Sequence, residues 1–144
     1  MDKRARLRQA LKDLNGPETV QVYKAIVKSV DGTTCTVDIM GTELADVPGV
    51  TLRADDEATE GVLLVPRVGS LVLVGVIENA VDNLFVCQCS EVDKVEIKID
   101  KTTITADKDQ MKAVRDKVEL TLSDKATLKQ DQTTIELASG KVSV

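Results

Sequence analysis

Aromatic side chains are almost missing from this chain: Tyr23 and Phe85 are the only two, and there is no tryptophan. A core must then be built from Val, Ile, Leu and Ala, and the abundance of Val and Thr points towards β structure. Single-strand nucleic acid, which stacks its bases on aromatic platforms in a basic groove, finds little to bind here. Histidine is absent altogether, so a metal site would have to be made without one of the two commonest zinc ligands. The three cysteines, Cys35, Cys87 and Cys89, read as small core hydrophobes of a reducing compartment. Cys87 and Cys89 alternate onto one face of a strand and are badly placed to bridge each other.

Other absences narrow the function further. No run of 18 apolar residues exists, which excludes a membrane-spanning helix. The N-terminus is charged and lacks an apolar segment, so it is not read as a signal peptide. There is no Gly-x-Ser-x-Gly, no phosphate-cradling glycine loop and no zinc spacing. Carboxylates do cluster at Asp55, Asp56, Glu57 and Glu60, but acid–base work needs a cleft and contrasting environments. This loop reads as solvated. The chain is expected to be no enzyme, to use no cofactor and to be kept in a cytoplasm.

The formal charge of -5 is unevenly spread. Residues 1–15 carry five basic and two acidic side chains, residues 16–90 four and eleven, and residues 91–144 ten and eleven. An acidic body repels a polyanion before contact forms, so no nucleic-acid partner is expected.

What is present is β patterning. Residues 3–14 fit a short helix, with Leu7, Ala10, Leu11 and Leu14 on one side and Asn15-Gly16-Pro17 as the stop. Its basic residues, Arg4, Arg6 and Arg8 among them, are a solvated face or a patch for docking onto a neighbouring protein. Residues 19–90 read as a small closed barrel. A long first strand over 20–30 turns at Asp31-Gly32 into a partner over 34–40. Short segments at 47–50 and 62–66 follow, then an apolar strand over 70–77 expected to be buried on both faces, a turn over 78–83 and a last strand over 84–89. Five or so strands with a long curved first pair, in this length, match an OB-type barrel.

From Val95 onward, Val-Glu-Ile-Lys-Ile (95–99), Val-Glu-Leu-Thr-Leu (118–122), Ala-Thr-Leu-Lys (126–129), Thr-Thr-Ile-Glu-Leu (133–137) and Lys-Val-Ser-Val (141–144) alternate apolar and polar residues. That is the period of half-buried strands. The beat is seven to eight residues, with one interval of sixteen between Ile104 and Leu120. Residues 107–117 fit a short helix, a loop or an irregular strand equally well. With hardly any turn glycine, this beat suits a chain wrapping around an axis better than ordinary hairpins. The inward candidates are Val95, Ile97, Ile99, Ile104, Val118, Leu120, Leu122, Leu128, Ile135, Leu137, Val142 and Val144. Nothing in the chain is left to cover them, and lone ribbons of this kind are marginal in water. Three chains wound about one axis would cover them, giving a prism roughly 30 Å long at the spacing of paired strands.

A barrel whose late strands read Val65-Pro66-Arg67-Val68-Gly69-Ser70-Leu71-Val72-Leu73-Val74-Gly75, feeding straight into an alternating tail, resembles the central spike of contractile tails. That family includes the baseplate assembly protein V of phages and the spikes of type VI secretion and related contractile injection systems. The resemblance covers residues 19–144. It implies an all-β chain with an OB-like barrel (19–90) and an intertwined trimeric β-helix or β-prism (91–144); the short N-terminal helical segment (1–18) lies outside it. It also implies a homotrimer joining the tube or hub to a tip that pierces the target membrane mechanically, within a phage tail or injection-system particle. Arg4, Arg6 and Arg8 are then candidates for docking to the hub. Many such spikes end in an iron-binding histidine pair, which this chain lacks, and some carry a lysozyme insert, for which there is no room. The blunt end at Val142, Ser143 and Val144 is the candidate docking point for a PAAR-like tip protein. The rival readings are an OB nucleic-acid module and a generic trimeric fibre.

Overall fold

Alternation of Val, Ile and Leu with Thr, Lys and Glu dictates strands almost everywhere, and strands are what the computed structural model of the chain contains. It describes residues 2–6, 9–10, 21–41, 46–55, 57–76 and 84–144. Near the N-terminus, residues 3–6 and 9–10 are helical. Leu7, Leu11, Leu14 and Arg8 of the expected helix, and the expected turn over 78–83, lie outside the described residues. The strands in chain order are β1 (Val22–Asp31), β2 (Thr34–Ile39), β3 (Val47–Thr51), β4 (Gly61–Pro66), β5 (Leu71–Val76) and β6 (Leu84–Cys89). They continue with β7 (Val92–Ile99), β8 (Thr102–Asp107), β9 (Met111–Arg115), β10 (Val118–Leu122), β11 (Ala126–Gln130), β12 (Thr133–Ala138) and β13 (Lys141–Ser143).

The chain divides into two units. The first comprises Met1–Ala54 and Val68–Cys89, the second Asp55–Arg67 and Ser90–Val144. In the first, β1-β2-β3-β6-β5 close into a barrel. Closure comes from β5 pairing back on β1, Val22 opposite Gly75 through Ile26 opposite Leu71. The β3–β6 contact is parallel and brief, Thr51 against Phe85. The expected hairpin at Asp31-Gly32 is present, with Gly32 at φ 60° and Asp31 opposite Thr34. Period-2 alternation sends Ala25 and Val27 of β1, Cys35, Val37 and Ile39 of β2, and Val72, Val74 and Val76 of β5 inward. Val50 and Leu84 complete this aliphatic core. The outer face of β5 is less covered than its apolar run implied. Leu71 and Leu73 are half-buried, while Gly75 lies beneath the Phe85 ring, where an added Cβ would come within 2.6 Å of Phe85 Cζ.

The second unit is one eight-stranded sheet in the order β13-β12-β11-β10-β9-β8-β7-β4. Every neighbouring pair is antiparallel. The segment 62–66, which the sequence placed among the barrel strands, pairs instead with β7, Leu64 opposite Val95. From β7 onward the sheet is a meander of hairpins, contrary to the expectation that this beat, with hardly any turn glycine, suits a wrapping chain better. Aspartate does the work of glycine. Asp100, Asp116 and Asp131 open the tight turns at φ 51°, 55° and 52°, the left-handed region that Asp and Asn tolerate better than other side chains. The wider turn over 108–110 is fastened by Asp107 Oδ1, which accepts the N–H groups of Asp109 (2.9 Å) and Gln110 (3.0 Å). Those two bonds hold the Asp107 carboxyl below its ordinary pKa.

Residues 107–117, undecided from sequence, form the end of β8, this turn, β9 and the turn that follows. The interval of sixteen residues therefore contains a regular strand. Its central position is Ala113, too small to register in a pattern carried by Ile and Leu.

Candidate assembly interface

Strand register decides which side chains share a face, because directly opposed residues point the same way. One line of opposed residues runs Val62, Ile97, Ile104, Ala113, Leu120, Leu128, Ile135. A second runs Leu64, Val95, Ala106, Met111, Leu122, Ala126, Leu137, Val142. Both are apolar from end to end, and they sit side by side on the same face. A third line flanks them and is mixed: Ile99, Thr102, Arg115, Val118, Gln130, Thr133. The opposite face carries Glu96, Thr105, Lys112, Thr121, Thr127 and Glu136 in one line, and Lys112–Glu119 and Lys125–Glu136 ion pairs at 3.3 and 3.0 Å.

The register thus brings the inward candidates Val95, Ile97, Ile99, Ile104, Val118, Leu120, Leu122, Leu128, Ile135, Leu137 and Val142 to one face. Val144 lies past the end of β13 and is exposed. Val62, Leu64, Ala106, Ala113 and Ala126 share the face and were not expected there; from the undecided segment 107–117, Met111 joins it while Val114, opposite Glu119, falls on the other face. Val62 and Leu64 are on a strand read as part of the barrel, and the alanines are too short to mark a period.

This face is bare. Leu120, Leu128, Ile135 and Leu137 are 37%, 44%, 40% and 49% exposed. Among the described residues of the second unit only Leu63 and Pro66 are buried. Contiguous apolar surface of this extent marks an interaction site on proteins that are otherwise polar outside. The face is not flat: Val118, Leu128, Gln130, Asp131, Thr133 and Ile135 line a shallow depression of about 340 Å³.

Charged groups near the sheet are structural in arrangement. Arg67 donates through Nη1 to Glu91 (2.6 Å) and through Nε to Asp93 (2.9 Å), while its backbone N–H bonds the Glu91 carbonyl at 3.0 Å. In the acidic loop, Glu60 accepts the N–H of Asp100 at 2.8 Å and Asp55 that of Glu57 at 3.0 Å; Asp56 lies outside the described residues. Among the described residues no three His, Cys, Asp or Glu side chains are grouped to hold a metal ion, and no helix is long and apolar enough to cross a membrane. Cys35 is buried in the barrel core and its thiol is pushed up to about 11 by that burial first, with Cys89 nearby adding to it. Arg4 and Arg6 are exposed. Ser143 is opposite Glu136 on the polar face, so of the last three residues only Val142 belongs to the apolar lines. No protein-family model matches this chain, and no curated protein matches it either.

Proposed function

We propose that this chain is a structural spike: a homotrimer in which three copies of the eight-stranded sheet turn their bare apolar faces to a common axis. The observation that carries the reading is the pair of apolar lines running from β4 to β12 and from β4 to β13 of a sheet with almost nothing buried. A surface of this kind must be covered to be stable in water, and closed cyclic symmetry covers it with identical copies. Each sheet serves as one wall of a three-sided β-prism. Because the strands of one wall already hydrogen-bond to one another, the prism needs no interwinding of strands to satisfy its backbone.

The wider assignment, to the tip of a contractile phage tail or injection system, rests on the resemblance of residues 19–144 to spikes of that family. A barrel ordered β1-β2-β3-β6-β5 with a parallel β3–β6 contact is the arrangement an OB-like member would have, which supports it. On this reading the barrels meet tube or hub proteins, with Arg4, Arg6 and Arg8 as hub contacts. The prism transmits axial force to a membrane-piercing point, and a PAAR-like tip protein docks at Val142, Ser143 and Val144. The function is mechanical, with no catalysis, cofactor or nucleic acid.

Native mass in solution tests the reading directly. The chain is 15.6 kDa, and an assembly of three chains is expected; a clean monomer overturns the proposal. Particles containing the protein on their axis, seen by electron microscopy, separate a spike from a peripheral fibre.

A further inference from the structure

The meander gives the sheet two unlike margins. One is formed by the turns at 100–101, 116–117 and 131–132, beside the mixed line that holds Arg115. The other is formed by the turns at 108–110, 123–125 and 139–140. Any cyclic assembly about an axis along the strand stack brings the first margin of one copy against the second margin of the next, at the same level of the stack. At the level of β9 the first margin presents Arg115 and the second presents the turn containing Asp109. Arg115 is exposed; its Nη1 donates to Thr102 Oγ1 at 3.0 Å, and among the described residues no carboxylate forms an ion pair with it. Asp109 is likewise exposed, and its carboxylate pairs with no cation among the described residues. Some other charges on this sheet pair within the chain, Lys117 with Asp131 at 3.5 Å and Lys112 with Glu119 at 3.3 Å, while Lys108, beside Asp109 in its turn, forms no ion pair among the described residues either.

We propose that Arg115 of one copy pairs with Asp109 of the next, fixing the vertical register of neighbouring walls. This rests on the trimeric reading above. An apolar seam alone tolerates sliding by a strand, whereas a charge pair at one level penalises every other alignment. Arg suits the position because its planar fork can keep the Thr102 bond while a second edge meets a carboxylate.

The test is a charge-swap cycle on the full chain, Arg115→Glu, Asp109→Lys and the double variant, read by native mass spectrometry across a dilution series. Each single change is expected to raise the half-dissociation concentration on the order of tenfold, three weakened pairs acting together, and the double variant to recover most of that loss. Circular dichroism checks that the strands persist in every variant. A wild-type trimer whose double variant is no better than the sum of the singles overturns the pairing and leaves the trimer standing. A wild-type monomer overturns both.

Discussion

Leu120 of β10 stands directly opposite Leu128 of β11 on the uncovered face of the sheet, and both are more than a third exposed. Two large aliphatic side chains in register, wet on the same side, are favourable only if that side meets another surface. Fully burying an exposed leucine is worth about 1.5–3 kcal/mol, so covering the remaining two-fifths of one such leucine contributes about 0.6–1.2 kcal/mol, and the two lines repeat the pattern from β4 to β12 and from β4 to β13.

In the trimer we propose, replacing Leu120 or Ile135 with Asp would place three carboxylates at one level of a dry axis. The expected result is loss of the trimer, at a cost of several kcal/mol for each buried charge. Lys129→Ser, on the polar face opposite Glu119, is expected to leave assembly intact. Light scattering on both variants is decisive: an Asp variant that remains trimeric means the register or the axis has been misplaced.

Gly75→Ala is expected to destabilise the barrel by about 1–3 kcal/mol. The new methyl would meet the Phe85 ring at 2.6–2.8 Å and Cys87 Sγ at 2.9 Å, and the ring lies across a strand pairing that helps close the barrel. Urea denaturation monitored by far-ultraviolet circular dichroism checks it. Gly75→Ala combined with Phe85→Leu should be less impaired than the sum of the single changes, since the second removes the obstacle.

Asp116 adopts φ 55° at a tight turn. Glycine there relieves the left-handed penalty, so Asp116→Gly should preserve or slightly raise stability, while Asp116→Val should lose about 1–2 kcal/mol. Midpoints of thermal unfolding for the two variants, measured side by side, give the sign.

The Cys35 thiol, buried and raised to about 11, favours the protonated form in the folded state. The contribution is fully present below the unfolded value near 9 and is lost as pH rises from there through the folded value. Folding stability measured between pH 8 and 11 should therefore fall more in the wild type than in Cys35→Ala. A thiol reagent at pH 8 should label exposed Cys87 first and Cys35 only on unfolding. Equal labelling rates would contradict the burial.

The β class, the aliphatic make-up of the barrel core and the one-sidedness of the tail were legible in the residues alone. All three follow from composition and period-2 alternation, which act locally. Val95, Ile97, Leu120 and Ile135 were legible as one face because each is large and flanked by Glu, Lys or Thr. Pairing belonged to the tertiary structure. Nothing local distinguishes Val62–Pro66 as a barrel strand from the same residues as a partner of β7, since either neighbour satisfies its backbone. Ala113 and Ala106 join the apolar lines only because the strands on either side hold them in register. The hairpins were invisible for a different reason: turn prediction looks for glycine, whereas Asp100, Asp116 and Asp131 take the left-handed conformation that short polar side chains can support. An alternating pattern says that a face wants burial; only the register says which residues share that face and how far it runs.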